Sequence, residues 1–207
     1  KEVCWREFYA EVLATAPESE TKSLDQKWEL MGWDQEEDFA QRLKKWQEGK
    51  TGFPIVDAGM RQLKQTGWMH NRVRMIVASF LVKDLHIHWI HGANWFMKHL
   101  LDGDIASNSH GWQWTAGCGT DASPYYRIFN PMMQAEKFDP NAEYVHKFIP
   151  ELNHLAGIKA HTPCEEPDGY LNNYPTRMVD HSQEREETLR RYQASKGEKV
   201  ITEKFSQ

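Results

Sequence analysis

The stretch DGDIASNSHGWQW, Asp102 to Trp114, sets two carboxylates, a lone asparagine and two tryptophans within thirteen residues. Upstream, GWMHNRVRMIVASFLVKDL (Gly67 to Leu85) mixes Asn71, Arg72 and Arg74 with an apolar stripe. Paired carboxylates at Asp102 and Asp104, split by Gly103, can bind a metal, serve acid/base chemistry, or cap and turn the chain. A calcium loop needs further oxygen ligands at fixed spacing, and they are missing. A glycine turn with a helix cap is the plainer reading, and spacing alone leaves these open. Asn108 offers both a donor and an acceptor, yet a turn asparagine is common. Trp5 and Trp114 are flat enough to stack on nucleobases, with Arg6, Asn71 and Arg72 as polar neighbours; most tryptophans are core residues instead. Nothing in their spacing joins Trp112, Trp89 and Trp33. His86, His88, His91 and His99 have no cysteine or carboxylate at zinc spacing. They are expected on the surface or in packing, with His99 half-buried at most, and no metal site is expected.

The chain has 207 residues, 40% hydrophobic and 27% charged, which suits one soluble helical domain with a sizeable core. Nine tryptophans are more than core filling requires. The apolar runs are short and broken by charge, so no membrane span is expected. Cys4, Cys118 and Cys164 are far apart without a CxxC pair, which argues against a disulfide framework. With no secretory signal visible, the expected location is cytoplasmic (nucleoid-associated) or nuclear. The net charge of -5 argues against indiscriminate nucleic-acid binding by the whole surface. Between Asp57 and Asp84, however, there is no acid, while Arg61, Lys64, Arg72, Arg74 and Lys83 lie there. This is either a basic face or a set of ordinary solvated helix charges.

The elements that must position these residues read as helices. An apolar stripe runs from Glu2 to Ala16 and stops at Pro17. Phe39, Leu43 and Trp46 mark a second helix ended by Gly49. Pro54 opens a third, closed by Gly67. Val73, Ile76, Val77, Phe80, Leu81 and Leu85 predict a long helix, apolar on several sides and therefore the most buried. Helices follow over Trp95 to Leu101 and Ala142 to Ile149. His154 to Pro175 reads as loop, and Glu184 to Ala194 as a charged, exposed helix. No alternating strand pattern occurs, so the expected class is all-α.

WREFY (Trp5 to Tyr9), TGFPIVDAGMRQL (Thr51 to Leu63), HNR (His70 to Arg72), the DGD and GWQW segments, and GTDASPYYRIFNP (Gly119 to Pro131) together resemble the flavin-binding helical domain of DNA photolyases and cryptochromes, in order over nearly the whole chain. The resemblance implies FAD as cofactor. Asn71, Arg74, Asp102, Gly103, Asp104 and Asn108 would face it, with Arg74 and Asp102 as a buried ion pair and Asn108 opposite the flavin N5. It assigns Trp112 and Trp89 to an electron-hopping chain, with Trp33 the outer member and Trp28 the next candidate. It places Glu2, Trp5, Arg6, Asn71, Arg72, Met75 and Trp114 at a flipped pyrimidine dimer in damaged DNA, where the Glu2 carboxyl group would stabilise the dimer radical anion. Base flipping is a general property of such enzymes. Asn71 stands where lesion-specific histidines would otherwise be, which implies cyclobutane dimers as substrate. Light-driven repair by a carbon–carbon lyase, monomeric when full length, is the implied activity. A cryptochrome photoreceptor without repair activity, or an inert helical remnant that binds DNA or a partner, are the alternatives. Residues 1–207 would be the C-terminal portion of the flavin domain. The antenna-holding α/β domain and the first flavin-domain helices, which grip the phosphates, are not among them.

Overall fold

Local chemistry sets most of the helix boundaries. In the computed structural model, which describes residues 2–25, 28–29, 31–120 and 127–195, there are helices and turns and no strand among the described residues. Helix α1 spans Glu2–Thr15, α2 Glu36–Glu48, α3 Pro54–Thr66, α4 Asn71–Ser79 and α5 Trp89–His99. They are followed by α6 Ile105–Ala116, α7 Pro131–Phe138, α8 Glu143–Phe148 and α9 His181–Ser195. Pro54 and Pro131 occupy first turns, where their missing N–H costs nothing. Gly49, Gly67 and Gly117 close α2, α3 and α6 in the left-handed conformation, at φ 65°, 67° and 85°. Polar side chains cap the N-termini that carry the site. His70 accepts from Arg72 N, His88 from Ile90 N, and Asp104 from Ser107 N.

The all-α expectation holds. Every residue from Ile76 to Ile87 is buried, as the multi-sided apolar pattern predicts. The helix geometry there is not uniform. Beyond Ser79 the chain widens into a π-turn, Phe80–Asp84, with Leu85 N donating to Phe80 O at 3.1 Å. His86, at φ 54°, then reverses the chain so that α5 can start at Trp89. Sequence periodicity puts that start at Trp95; the His88 cap adds the earlier turns. The segment read as loop from His154 onwards contains two short 3-10 helices, Gly157–His161 and Pro163–Glu165.

Helix α9 corrects one expectation. Arg185, Glu186 and Arg190 face outward, but Glu184 and Arg191 pair inward with His86 and Asp34, and His181, Thr188 and Tyr192 are buried. Thr188 Oγ1 donates to Lys83 O, His181 pairs with Asp84, and the Tyr192 hydroxyl donates to Ala116 O. Helix α9 thus straps the π-turn to the end of α6. The main core gathers Trp46, Phe53, Phe80, Trp89 and Trp112 between α2, α3, α4, α5 and α6. No helix of the described residues is long and apolar enough to cross a membrane.

Candidate functional site

The DGD segment divides its duties. Arg74 Nη2 donates to both oxygens of Asp102, at 3.0 and 2.8 Å, while Arg74 Nε donates to Met69 O at 2.7 Å. This ties α4 to the turn before α6. The pair lies at the surface rather than buried, since the Asp102 side chain is 51% exposed. Asp104 is the cap of α6, its Oδ1 accepting from Ser107 N at 2.8 Å. Hydrogen bonds from the Ser107 side chain and its backbone hold the Asp104 carboxyl group below the usual carboxylate range. The plainer reading, a helix cap, thus applies to Asp104, while Asp102 forms the ion pair with Arg74 that the resemblance implied. Among the described residues no cluster of three or more His, Cys, Asp or Glu is arranged to hold a metal.

Polar atoms around this junction are left open. The Asn71 side chain is exposed and has no hydrogen-bond partner among the described residues. Met75, one turn further along α4, is half-buried. Asn108 Nδ2 donates to Ala93 O at 3.0 Å. A carbonyl only accepts, so the amide nitrogen must face α5 and Oδ1 must face away. Gly103 is exposed between the two carboxylates.

Below Asn108, Trp112 is buried against Phe96 and Trp46, at ring-centroid distances of 5.0 and 6.1 Å. Trp89, on α5, is fully buried, and its Nε1 donates to Ser23 Oγ at 3.1 Å. From Trp89 the aromatic path continues through His88, 5.5 Å away, to Trp33, a further 5.1 Å on. Trp33 is half-buried and donates its Nε1 to Trp28 O. Trp28 is itself buried against Tyr192. Of the two, Trp33 lies nearer the surface. Histidine 88 was legible only as a packing residue; its place between two indoles depends on a turn that periodicity does not reveal.

Trp33 is pinned by charges on both sides. Arg191 of α9 donates to Gly32 O and to Asp34 Oδ1, each at 2.7 Å, and Arg42 also pairs with Asp34. Glu187 accepts from Arg190 and Arg191, and the Arg190 bonds, reinforced by Arg191, hold its carboxyl group down to about 2. A carboxyl group depressed on folding stabilises the fold above its unfolded value, here 4.5, and loses that contribution as pH falls through about 2. Glu187→Gln is therefore expected to lower the thermal midpoint at pH 6 and to flatten its fall between pH 4.5 and 2, as read by thermal melts over that range.

Trp5 and Phe8 of α1 face outward. Trp5 is 55% exposed, edge-on to Phe8 at 5.7 Å and stacked near Tyr9 at 6.0 Å. Arg6 is exposed and pairs with its neighbour Glu7. The side chain of Glu2 lies outside the described residues. Tyr9 and His110, which sequence reasoning missed, dock α1 on α6: their rings stack at 5.4 Å, 10° from parallel. Trp114 is half-buried, with the Arg127 guanidinium 5.2 Å above its ring. Arg72 sits 4.7 Å over Phe138 rather than pairing with an acid. Arginines laid on aromatic faces in this way keep their charge available to a phosphate.

Comparison with known proteins bears on this arrangement. The model of the FAD binding domain of DNA photolyase matches residues 1–194. The deoxyribodipyrimidine photo-lyase of Vibrio cholerae is 53% identical over 199 residues, 95% of this chain and 41% of that protein. The Escherichia coli protein of the same name is 48% identical over 200 residues, again 41% of its length. Among solved structures, a bacterial class III photolyase from Agrobacterium tumefaciens superposes with a TM-score of 0.88 at 48% identity, covering 95% of this chain and 42% of that one. A Synechocystis cryptochrome gives a TM-score of 0.82 at 34% identity, covering 91% and 40%. The chain thus spans about two fifths of the length of these relatives, and over that span it belongs to the DNA photolyase FAD-binding domain family.

Proposed function

We propose that this chain supplies the ring-facing and lesion-facing part of a light-driven DNA-repair enzyme, a deoxyribodipyrimidine photo-lyase that splits cyclobutane pyrimidine dimers with FAD. The observation that carries this reading is the graded aromatic path. Trp112 lies one helical turn beyond Asn108 on α6, buried Trp89 lies on the facing helix α5, and from Trp89 the rings lead through His88 to half-buried Trp33. A core built only for packing has no need to connect an open polar cluster to the surface by oxidisable rings.

The residues present fit a flavin ring system. Its polar edge alternates donors and acceptors, and the open groups are an unpaired Asn71 amide, the outward Oδ1 of Asn108, and the surface Arg74–Asp102 pair beside Gly103. When bound, reduced FAD would supply the light-excited electron that opens the dimer, and the electron would afterwards return to the flavin. Asn71, Arg74, Asp102, Gly103, Asp104 and Asn108 would hold and orient the ring. Trp112, Trp89 and Trp33 would pass electrons inward from an external reductant, each refilled by the next. Trp5, Trp114 and Met75 would pack on the flipped bases, with Glu2 at the dimer and Arg6 and Arg72 toward the strand. The enzyme would act as a monomer in the compartment that holds the DNA, the nucleoid-bearing cytoplasm or the nucleus.

The lesion contact is tested with Trp5→Ala in the whole protein. Loss of a stacking platform is expected to cost roughly 1–3 kcal/mol per base on dimer-containing DNA, with a smaller loss on undamaged DNA. Titrations against both DNAs at fixed salt measure this. A purely electrostatic contact would weaken both alike and lower the salt dependence. Equal losses on the two DNAs would make Trp5 a packing residue.

A further inference from the structure

Gly92 lies in the interior of α5, where glycine is unfavourable relative to alanine. Its backbone is not left-handed, so conformation does not require it. Space does. A Cβ built there would press onto the benzo ring of Trp112, with Cη2 nearest, Cζ3 at 2.5 Å and Cζ2 at 2.6 Å. Carbon atoms settle at about 3.5–4.0 Å, so no side chain can occupy the position while the indole stays where it is. The same stretch of α5 holds α6 by a second, independent contact, since Ala93 O accepts from Asn108 Nδ2. Asn108 and Trp112 are four residues apart and lie on one face of α6. Trp89 lies three residues before Gly92, on the same face of α5. The height at which the Trp112 ring rests on α5 therefore sets its relation to both Asn108 and Trp89.

We propose that Gly92 is a positioning residue for light-driven flavin reduction: it forms the seat that lets Trp112 lie directly on the α5 backbone, between the ring-facing Asn108 and the next indole, Trp89. This rests on the functional reading above. It assigns Gly92 no chemistry of its own, because the atoms nearest its missing side chain are those of the Trp112 ring. Gly111, the neighbour of Trp112 on α6, provides the control, because a Cβ added there meets nothing within 4 Å.

The test uses the whole flavin-containing protein and four variants: Gly92→Ala, Gly111→Ala, Trp112→Phe and the double Gly92→Ala/Trp112→Phe. Two quantities are read, the thermal midpoint and the rate of flavin reduction under blue light with a thiol donor. Gly92→Ala is expected to lower the midpoint and to slow photoreduction by about tenfold or more, the change that a small loss of electronic contact produces. Gly111→Ala is expected to leave photoreduction unchanged. The penalty of Gly92→Ala on the midpoint should shrink when position 112 is Phe, whose shorter ring vacates the space the new methyl group needs. Should Gly92→Ala fail to fold, recovery of folding in the double variant supports the seat, and failure to recover overturns it. Equal photoreduction in Gly92→Ala and Gly111→Ala, or the same midpoint penalty with Trp and with Phe at position 112, overturns it as well. A wild-type protein that never takes up flavin would instead sink the functional reading, and the midpoint cycle would still decide whether the seat exists.

Discussion

Trp112→Phe is expected to remove most of the light-driven flavin reduction in the whole protein, with a rate loss of roughly tenfold or more, which a barrier rise of only about 1.4 kcal/mol already produces. Phenylalanine keeps an aromatic ring against Phe96 and Trp46, so the core stays largely filled. It is much harder to oxidise than indole, and the aromatic path would then end at Trp89, one helix away from Asn108. The defect should disappear when the flavin is reduced chemically before illumination, because that route bypasses the indoles. Absorbance of the flavin during blue-light exposure gives the photoreduction rate, and dimer repair by protein reduced with dithionite beforehand shows that the later step is spared. Equal photoreduction in the wild type and the variant would remove Trp112 from the electron path.

Asp57→Ala is expected to be the most destabilising single change among those considered. The carboxylate is fully buried and takes four hydrogen bonds: from Thr51 N and Oγ1 at 2.7 Å each, from Gly52 N at 3.0 Å and from the Tyr174 hydroxyl at 2.6 Å. Burial pushes its carboxyl group above the usual range, and the four donors oppose that push. The cluster fastens the turn before α3 to the segment leading into α9. The turn itself has no slack: a Cβ at Gly52 would lie 2.5 Å from Arg177 N, and Gly52 sits at φ 80°. Alanine at position 57 would leave these donors buried and unpaired, at about 1–3 kcal/mol each before relaxation, so a net loss of roughly 3–5 kcal/mol is expected. Denaturant melts measure it. A loss below about 1 kcal/mol would mean that water reaches the donors once the carboxylate is gone.

How far the molecule could be read from its residues depended on the range of the interaction involved. The burial of Ile76 to Ile87 was legible because it is written in local apolar spacing. The π-turn inside it was not, because Phe80 to Asp84 owe their geometry to α9, a hundred residues later in the chain. The same distance in sequence hid the buried face of α9, whose composition is charged but whose Thr188 and Tyr192 find partners on the π-turn and α6. In the site, the Arg74–Asp102 pair was expected from family resemblance and forms in the structure, at the surface. A helix cap in the DGD segment was the plainer reading of its carboxylates, and Asp104 supplies it. Gly92 and His110 gave no signal, since a lone glycine or histidine in a helix has many uses and only the facing helix shows which applies. The ring-to-ring order from Trp33 through His88 to Trp89 was hidden for the same reason.

Whether the whole protein uses light and FAD to split pyrimidine dimers, as proposed, can be measured on DNA itself. The most direct measurement is the count of cyclobutane thymine dimers in an irradiated oligonucleotide. The purified full-length protein, chemically reduced, is mixed with the oligonucleotide and split between blue light and darkness. The account predicts dimer loss in the light, many turnovers per protein, and none in the dark. Dimers that persist equally under both conditions, in a protein shown to contain reduced flavin, would contradict it and would leave a photoreceptor-type role for the same aromatic path.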